Sequence, residues 1–507
     1  METIEDMLAR ALADLEAGRV GEAERLCRTI LEAEPHIAAT EHLLGTIALQ
    51  SGHVERARSR FTKAATLSPD VPGYHESLAG VEVRLGRYDE ALASYRTALA
   101  VEPDNLPLQT ELPQLARHRP RQVLAFFRQA SEQKPDDATI QFLYGNALFY
   151  GNEPTAAVSI YQRVLALQPD HIGALDNLAL ALSDLGRLDE AIACLRHAIE
   201  LNPHAPNTHN NLGLALLLKG DYAAAWPHHE YGRPSTQSRA CPRWSGEPLN
   251  GARILLQSEQ GFGDTLQFVR YAPLVAALGG EVILEVQAPL ARLLTGMPGV
   301  ARVISPGTDV PDLAFHCPLM SLPYVFGTEV GTIPASMPYL TAPTDRKSWT
   351  QRIPARLDCR VGLAWQGQKD HRRDRDRSMP ASALAPLAAV ADVSFYSLHK
   401  QPLESTIPGV LDIADLSDRL DDFGDTAAAI DRLDLVITVD TSIAHLAGAL
   451  GKPVWLLLSH TPDWRWLLNR SDSPWYPTAR LFRQPQPGDW GSVIREVTAA
   501  LQQWAHP

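Results

Sequence analysis

Four polar residues near the C-terminal end of the chain could together bind an anion. Asp440, Thr441, Ser442 and His445 follow an apolar run, and the segment 435–458 continues with small residues and a second apolar run. This order predicts a strand, a helix and another strand. Ligands of open parallel sheets bind at such strand ends, where a helix N-terminus offers free N–H groups. In the alternative interpretation, Thr441 or Ser442 only caps the helix and His445 packs beneath it.

A second constellation follows an earlier predicted strand, in the loop 258–264. Glycines such as Gly263 let the backbone turn and approach a ligand, and Asp264 lies at a predicted helix start. A carboxylate there can accept a proton from an attacking hydroxyl. Alternatively, Asp264 and Gln267 form a capping box. Glu259 is a secondary candidate base.

A basic segment, 365–378, follows the predicted strand 361–365. Such charge runs are usually solvated, but this one lies beside the same predicted strand ends, where cations could neutralise an anionic leaving group. Gln366 and Gly367 are expected at the strand end. The cations expected to be partly solvated are Lys369, Arg372, Arg373 and Arg375.

Two further segments admit a chemical and a structural interpretation. The acidic run 421–426 could bind a metal, but we expect Asp425 or Thr426 to cap a helix. The aromatic block 462–477 could stack on a sugar or a base. We expect it to pack a seam instead, with Asp463 and Arg465 near the rim of a cleft.

The elements that must position these residues alternate from Arg253 onward. Predicted strands are 254–258, 282–286, 303–305, 313–316, 361–365, 393–398, 411–413, 435–439 and 454–458. Helical segments lie between them, and a helix over 492–504 closes the chain. This alternation predicts parallel, doubly wound α/β sheets in two halves.

The first 232 residues carry a different, repetitive pattern. Intervals of 34, 34, 32, 34 and 34 residues separate Pro35, Pro69, Pro103, Pro135, Pro169 and Pro203. Ten residues after most of these prolines stands a glycine or an alanine. This is the tetratricopeptide pattern of paired antiparallel helices, with about seven units ending near Tyr231. Pro113 interrupts the unit between Pro103 and Pro135, where we expect a kink.

Composition narrows the class of protein. The 507 residues allow about three domains, and a net charge of −13 argues against a general binder of nucleic acid or anionic membranes. Five separated cysteines without a Cys-x-x-Cys pair indicate neither a disulfide framework nor a zinc site. No secretory signal or apolar run of membrane-spanning length is visible, so a cytoplasmic protein is expected.

The segment at Asp440 resembles the nucleotide-sugar motif of bacterial heptosyltransferase-type glycosyltransferases, Asp-Thr-Gly/Ser-x-x-His. The resemblance implies the GT-B fold, an inverting and metal-independent reaction without a cofactor, and a nucleoside-diphosphate sugar as donor. It also implies that Asp264 is the catalytic base. The donor-binding residues that it implies are Gly263, Gln366, Arg377, Ser378, His399, Asp440, Thr441, Ser442 and His445.

The expected organisation combines both patterns. It comprises an all-α tetratricopeptide solenoid (1–232), a linker (233–251), a Rossmann-like acceptor domain (252–345) and a Rossmann-like donor domain (346–507). The acceptor is expected to be a protein or peptide on the concave face of the solenoid. The alternatives are a non-catalytic scaffold and an enzyme directed at glycans or lipids.

The repeats also carry expectations about partners. Asn177 and Asn211 occupy the same repeat position and could clamp a peptide backbone, because an amide both donates and accepts. The alternative is a hydrogen bond between repeats. An array can equally dock the enzyme to a second copy of itself, so a homo-oligomer is one expected state.

Overall fold

Paired helices joined by short turns build the N-terminal part of the chain. The computed structural model describes residues 2–101, 115–116, 118–233, 241–344, 349–355, 358–368, 374–402 and 411–506. The chain divides into two units, Met1–Leu201 and Asn202–Pro507. The helices described in the first unit are α1 (Ile4–Glu16), α2 (Val20–Ala33), α3 (Ala38–Gln50), α4 (Val54–Leu67), α5 (Pro72–Arg84), α6 (Tyr88–Val101), α7 (Pro120–Gln133), α8 (Ala138–Tyr150), α9 (Pro154–Leu167), α10 (Ile172–Asp184) and α11 (Leu188–Leu201).

Small residues allow the two helices of a repeat to pack closely. A Cβ atom on Gly45 would lie 2.5 Å from Cε1 of Phe61, and one on Gly145 would lie 2.6 Å from Cε1 of Tyr161. Both distances are too short for a real contact, so the aromatic ring of the second helix needs a glycine opposite it. The helical solenoid predicted from the spacing is therefore confirmed.

The repeat that we expected to be irregular is described only in part. Residues 102–114 lie outside the described ranges, and the kink expected from Pro113 falls among them. The chain is described again as a regular helix from Pro120, in α7.

The second unit begins with one more helix pair and continues as an α/β structure. Its helices are α12 (Pro206–Lys219), α13 (Tyr222–Tyr231), α14 (Phe262–Phe268), α15 (Ala272–Ala277), α16 (Ala288–Leu294), α17 (Leu322–Val325), α18 (Trp349–Arg352), α19 (Asp374–Arg377), α20 (Phe423–Asp431), α21 (Ser442–Ala449) and α22 (Trp490–Ala505). Its strands are β1 (Arg253–Gln257), β2 (Glu281–Glu285), β3 (Arg302–Ile304), β4 (Phe315–Pro318), β5 (Cys359–Ala364), β6 (Val393–Ser397), β7 (Ile413–Asp415), β8 (Leu435–Val439), β9 (Val454–Leu458) and β10 (Ala479–Arg483). Among the described helices, none is both long and apolar enough to cross a membrane.

Two parallel sheets form the α/β part. The first has the strand order β3-β2-β1-β4, and the second has the order β10-β9-β8-β5-β6-β7. In each sheet the second and third strands along the chain are added on one side of the first strand, and the fourth strand pairs with its other side. The topological switch points are therefore β1/β4 and β5/β8. Ligands bind beside the carboxyl ends of the strands at such points. Every residue of β8 and β9 is buried, as expected for central strands covered on both faces.

The strand predictions are confirmed in number and order with one omission, β10. Its residues Arg480 and Arg483 interrupt the apolar run that would have marked a strand. It pairs with β9 at the edge of the sheet, where one face can remain polar.

The last helix pair packs against the α/β part. The indole nitrogen of Trp226 donates to the main-chain oxygen of Thr328 at 2.6 Å, and that of Trp475 donates to the hydroxyl of Tyr222 at 3.1 Å. The ring of Trp464 meets Tyr222 edge-on. The chain thus divides at 201/202, one helix pair before the repeat pattern ends at residue 232.

Candidate active site

A cleft of about 600 Å³ lies at the carboxyl ends of strands from both sheets. Loops after β1, β5, β6, β8 and β9 contribute to its walls. All of the predicted catalytic and donor-binding residues line it except one, Ser378. Those that do are Gly263, Asp264, Gln366, Arg377, His399, Asp440, Thr441, Ser442 and His445.

The turn from β8 to α21 presents a helix N-terminus to this cleft. Thr441 is the N-cap residue, and its hydroxyl accepts from the backbone N–H of Ile443 at 3.3 Å. Nη1 of Arg377 donates to the main-chain oxygen of Asp440 at 3.1 Å, which fixes a cation beside the same turn. Free N–H groups and a guanidinium together favour a bound anion.

Asp440 lies among charged groups on the floor of the cleft. Burial raises the pKa of its carboxyl, and the neighbouring Asp463 carboxylate acts in the same direction. The guanidinium groups of Arg465 and Arg377 oppose this shift. Asp440 therefore binds a proton more readily than an exposed aspartate does.

His445 packs beneath the first turns of α21 while one edge of its ring reaches the cleft. Its Nδ1 shares a hydrogen bond of 2.9 Å with the hydroxyl of Tyr476, and its ring stacks on Trp466. Burial lowers the pKa of His445 to about 3, so the imidazole is neutral. A Cβ atom on Gly263 would lie 2.8 Å from Cδ2 of His445, which explains a glycine there.

Asp264 enters the cleft from the first turn of α14. The helix begins at Phe262 with Gly261 as N-cap, and Oδ2 of Asp264 accepts from the backbone N–H of Gly261 at 2.9 Å. The alternative interpretation, a capping box with Gln267, is wrong in its partner, because Asp264 is the third helical residue and caps the helix by reaching back to Gly261. Its Oδ1 pairs with Nη2 of Arg465.

The sequence indicated Arg465 only as a residue near the rim. The structure buries its guanidinium between two carboxylates, those of Asp264 and Asp463, with the second at 2.8 Å. The guanidinium also lies 4.5 Å from the centre of the Trp464 ring. The aromatic block itself is buried, which confirms packing for Trp464, Trp466, Trp475 and Tyr476.

Ser378 stabilises the β5 loop from behind the cleft wall. Its hydroxyl accepts from the backbone N–H of Gly367 at 2.8 Å and donates to Asp374 at 2.8 Å. Arg377, one residue earlier, lies on the cleft side. Direct contact of Ser378 with a donor is therefore not supported, because the side chain is used within its own loop. The predicted solvated cations Lys369, Arg372 and Arg373 lie outside the described residues.

The loop after β6 contributes a neutral imidazole and a cation. Nε2 of His399 accepts from the backbone N–H of Trp365 at 3.1 Å, and burial lowers the pKa of His399 to about 4. Nζ of Lys400 donates to the main-chain oxygen of Asp421 at 3.1 Å. Both residues line the cleft, as predicted for His399.

The acidic run 421–426 caps α20 and contacts the first sheet's helices. Asp422 is the N-cap residue, since its carboxylate accepts from the backbone N–H of Asp425 at 2.9 Å. Our expectation of a cap at Asp425 or Thr426 was thus three or four residues late. Arg292 of α16 pairs with both Asp422 and Asp425. Within the described residues, no group of three or more His, Cys, Asp or Glu side chains is arranged to hold a metal ion.

Glu259 and Asn177 make structural contacts. Glu259 is buried outside the cleft, pairs with Arg233 and accepts from the backbone N–H of Met320, so it is a poor candidate base. Nδ2 of Asn177 donates to Oδ1 of Asn146 at 2.8 Å, which is the inter-repeat bond of the alternative interpretation. Asn211 lies half-buried on α12.

Three family models match separate stretches of the chain. Residues 42–106 and 114–172 match the tetratricopeptide repeat model, and 179–220 match the TPR repeat model. Residues 411–486, which include the β8–α21 turn, match the model of glycosyltransferase family 9 (heptosyltransferase).

Individual relatives cover different parts of the chain. Protein FlbA of Caulobacter vibrioides is 25% identical over 542 residues, spanning 98% of this chain and 90% of that protein. Protein O-mannosyl-transferase TMTC3 of Homo sapiens is 25% identical over 39% of this chain, but only 22% of TMTC3 is covered. Among solved structures, MamA aligns with 38% of this chain and 94% of its own at 17% identity and a TM-score of 0.26. The family models thus show that the chain carries tetratricopeptide repeats and, further along, a region similar to glycosyltransferase family 9.

Proposed function

We propose that this chain is a GT-B glycosyltransferase that moves a sugar from a nucleoside-diphosphate donor to an acceptor hydroxyl or amide. One observation carries the proposal. A single cleft is lined by Asp264 from the first sheet's side and by the β8–α21 turn from the second. A carboxylate and an anion-binding turn that face each other are what transfer from a diphosphate donor requires.

The donor diphosphate would bind at the N-terminus of α21. Arg377 and Lys400 line the same cleft and would neutralise the leaving group together with the helix N–H groups. In this proposal protein groups supply the positive charge, so the reaction needs neither a metal ion nor a cofactor.

Asp264 would act as the general base. As the acceptor oxygen forms its bond to the anomeric carbon, Asp264 takes the proton of the acceptor hydroxyl. The bond between that carbon and the diphosphate oxygen breaks, and the diphosphate leaves with the electron pair. Attack on the face opposite the leaving group inverts the anomeric configuration.

We further propose a protein acceptor. Tetratricopeptide arrays bind proteins through extended concave surfaces, and catalysis on a small glycan does not need an array of this length. The acceptor side chain would be a serine, threonine or asparagine that enters the cleft beside Asp264.

A non-catalytic scaffold is the second candidate function. It is favoured by the ion pair between Asp264 and Arg465, which occupies one oxygen of the proposed base. A scaffold would bind a nucleotide without turning over its sugar conjugate.

Calorimetry of the full chain with UDP, GDP, ADP, CDP and dTDP tests the donor class. We expect one of them to bind, and Arg377→Ala to abolish that binding. Failure to bind any of the five would refute a nucleoside-diphosphate donor.

Hydrolysis of the corresponding nucleotide sugar then separates the enzyme from the scaffold. Asp264→Asn should keep nucleotide binding and lose hydrolysis by roughly 10²–10⁴-fold. The matched control is Asp489→Asn, since Asp489 also accepts from a backbone N–H, that of Ser492 at 3.0 Å, but lies outside the cleft. Nucleotide binding by the wild type without any turnover would support the scaffold.

A further inference from the structure

Arg465 links the proposed base to the opposite side of the cleft. Its guanidinium pairs through Nη2 with Asp264 and through Nη1 with Asp463, at 2.8 Å. Asp264 belongs to α14, which follows β1 of the first sheet, whereas Arg465 follows β9 of the second. The base is therefore held by a residue from the donor-binding half.

The guanidinium is fixed on every side. Nε donates to Oε1 of Gln267, and the indole of Trp464 lies 4.5 Å from the guanidinium carbon. Oδ1 of Asp463 also accepts from the backbone N–H of Arg465 at 3.0 Å. The rigid fork of an arginine, unlike the ammonium of a lysine, can direct separate N–H groups at several acceptors.

The carboxylate of Asp264 is oriented from both ends as a result. Oδ1 accepts from Arg465, and Oδ2 accepts from the backbone N–H of Gly261 at 2.9 Å. A carboxylate has about four lone-pair directions, so acceptor capacity remains on each oxygen. The two bonds prevent rotation of the group and keep its charge in place.

We infer that Arg465 is the positioning residue of the reaction, which orients Asp264 as base from the donor-binding half. This inference rests on the proposed function. It assigns to Arg465 no contact with the reacting atoms, because Nε, Nη1 and Nη2 each donate to a protein acceptor, namely Gln267, Asp463 and Asp264.

The titratable groups around Arg465 define a usable pH readout. They are the carboxyls of Asp264, Asp440 and Asp463, the imidazoles of His229 and His445 and the phenols of Tyr222 and Tyr476, with Arg270 and Arg377 as further charges. Burial lowers the pKa of both imidazoles to about 3, so neither titrates near neutrality. Without Arg465, the carboxyls of Asp440 and Asp463 lose a neighbouring cation that lowers their pKa values, so they bind protons at higher pH.

The test compares Arg465→Gln with Arg465→Lys in the full chain. The probe is the nucleoside diphosphate that binds the wild type, together with its sugar conjugate. For R465Q we expect the Kd of the nucleoside diphosphate to change by less than about threefold, because the α21 turn is intact, and kcat to fall by about 10²-fold, the effect of a misplaced catalytic group. In R465Q, the acidic limb of the pH profile of kcat/KM should move to higher pH. R465K keeps the charge, so its acidic limb should stay near that of the wild type while kcat remains reduced.

Arg483→Gln is the matched control. Nη2 of Arg483 donates to the main-chain oxygen of Trp466 at 2.6 Å, so this variant disturbs the same turn without touching a carboxylate. It should leave the acidic limb in place. If the wild type is active and R465Q keeps the same kcat and the same acidic limb, the inference is overturned while the proposed function stands. If R465Q does not fold, wild-type kcat in R465K would overturn it. A wild type that binds none of the nucleoside diphosphates refutes the proposed function, and the inference with it.

Discussion

The last helix pair should decide whether the α/β part folds by itself. Chains that begin at residue 202 and at residue 233 differ only by α12, α13 and the residues flanking them. The first keeps the whole of the second unit, whereas the second removes Tyr222 and Trp226. We expect residues 202–507 to fold cooperatively and residues 233–507 to be unfolded or loosely packed.

The free energy of unfolding that is lost without α12 and α13 can be worked out from burial. Tyr222 and Trp226 are 1% and 3% exposed. Buried aromatic side chains contribute about 150–250 Å² each, or roughly 4–6 kcal/mol at about 25 cal/mol per Å², as an upper bound. The cut also removes the partners of the Trp475 indole and of the Thr328 carbonyl, at about 1–3 kcal/mol each. The total is comparable with the 5–15 kcal/mol that stabilises a typical domain.

Urea denaturation followed by circular dichroism measures the difference. A point variant gives a milder version of the test, since Trp226→Ala should lower the free energy of unfolding of 202–507 by about 3–5 kcal/mol. Trp504→Ala is the control, because Trp504 is 43% exposed. A chain of residues 233–507 with the same urea midpoint as 202–507 would refute the reasoning.

Two further predictions concern the cleft. Gly263→Ala should lower the free energy of unfolding by about 1–3 kcal/mol, because its Cβ atom would meet a His445 ring held by Trp466 and Tyr476. Gly331→Ala, with open space around the added atom, serves as control, and equal urea midpoints for the two variants would contradict the prediction. The pKa of His445 is lowered to about 3, so the folded chain leaves this imidazole neutral at pH values below about 6.5, where the unfolded chain protonates it. The free energy of unfolding should therefore decrease as the pH is lowered, by up to about 1.4 kcal/mol per pH unit. His445→Gln should lose less unfolding free energy than the wild type between pH 7 and pH 5. Asp440, whose pKa is raised, acts in the opposite direction in the wild type and in the variant alike. An identical loss in the wild type and the variant would argue against a buried neutral His445.

The sequence contained enough local information to locate the β8–α21 turn. An apolar run that only Thr438 interrupts ends at Val439, and Thr441 has a side chain that can cap a helix, so strand, turn and helix were all visible within a few residues. The first turn of α14 was less clear. Its N-cap is Gly261, which has no capping side chain, and the helix start was therefore placed too late.

Contacts between distant parts of the chain were not visible in the sequence. Arg465 and Asp264 are 201 residues apart, and nothing in either segment names the other as its partner. The position of Ser378 behind the wall also depends on the fold of its loop around Asp374. Likewise, the repeat pattern continues to residue 232 and carries no sign that its last helix pair packs on the α/β part.

The division at 201/202 has a consequence for how such proteins can diversify. Duplication or loss of a whole 34-residue repeat before that point would leave the aromatic contacts of Tyr222 and Trp226 unchanged. The number of repeats is thus free to change without altering these contacts. The final pair is not free in this way, since a substitution there must suit the indoles beneath it. Chimaeras joined at residue 202 should therefore keep the α/β part of one parent folded while they carry the repeats of the other.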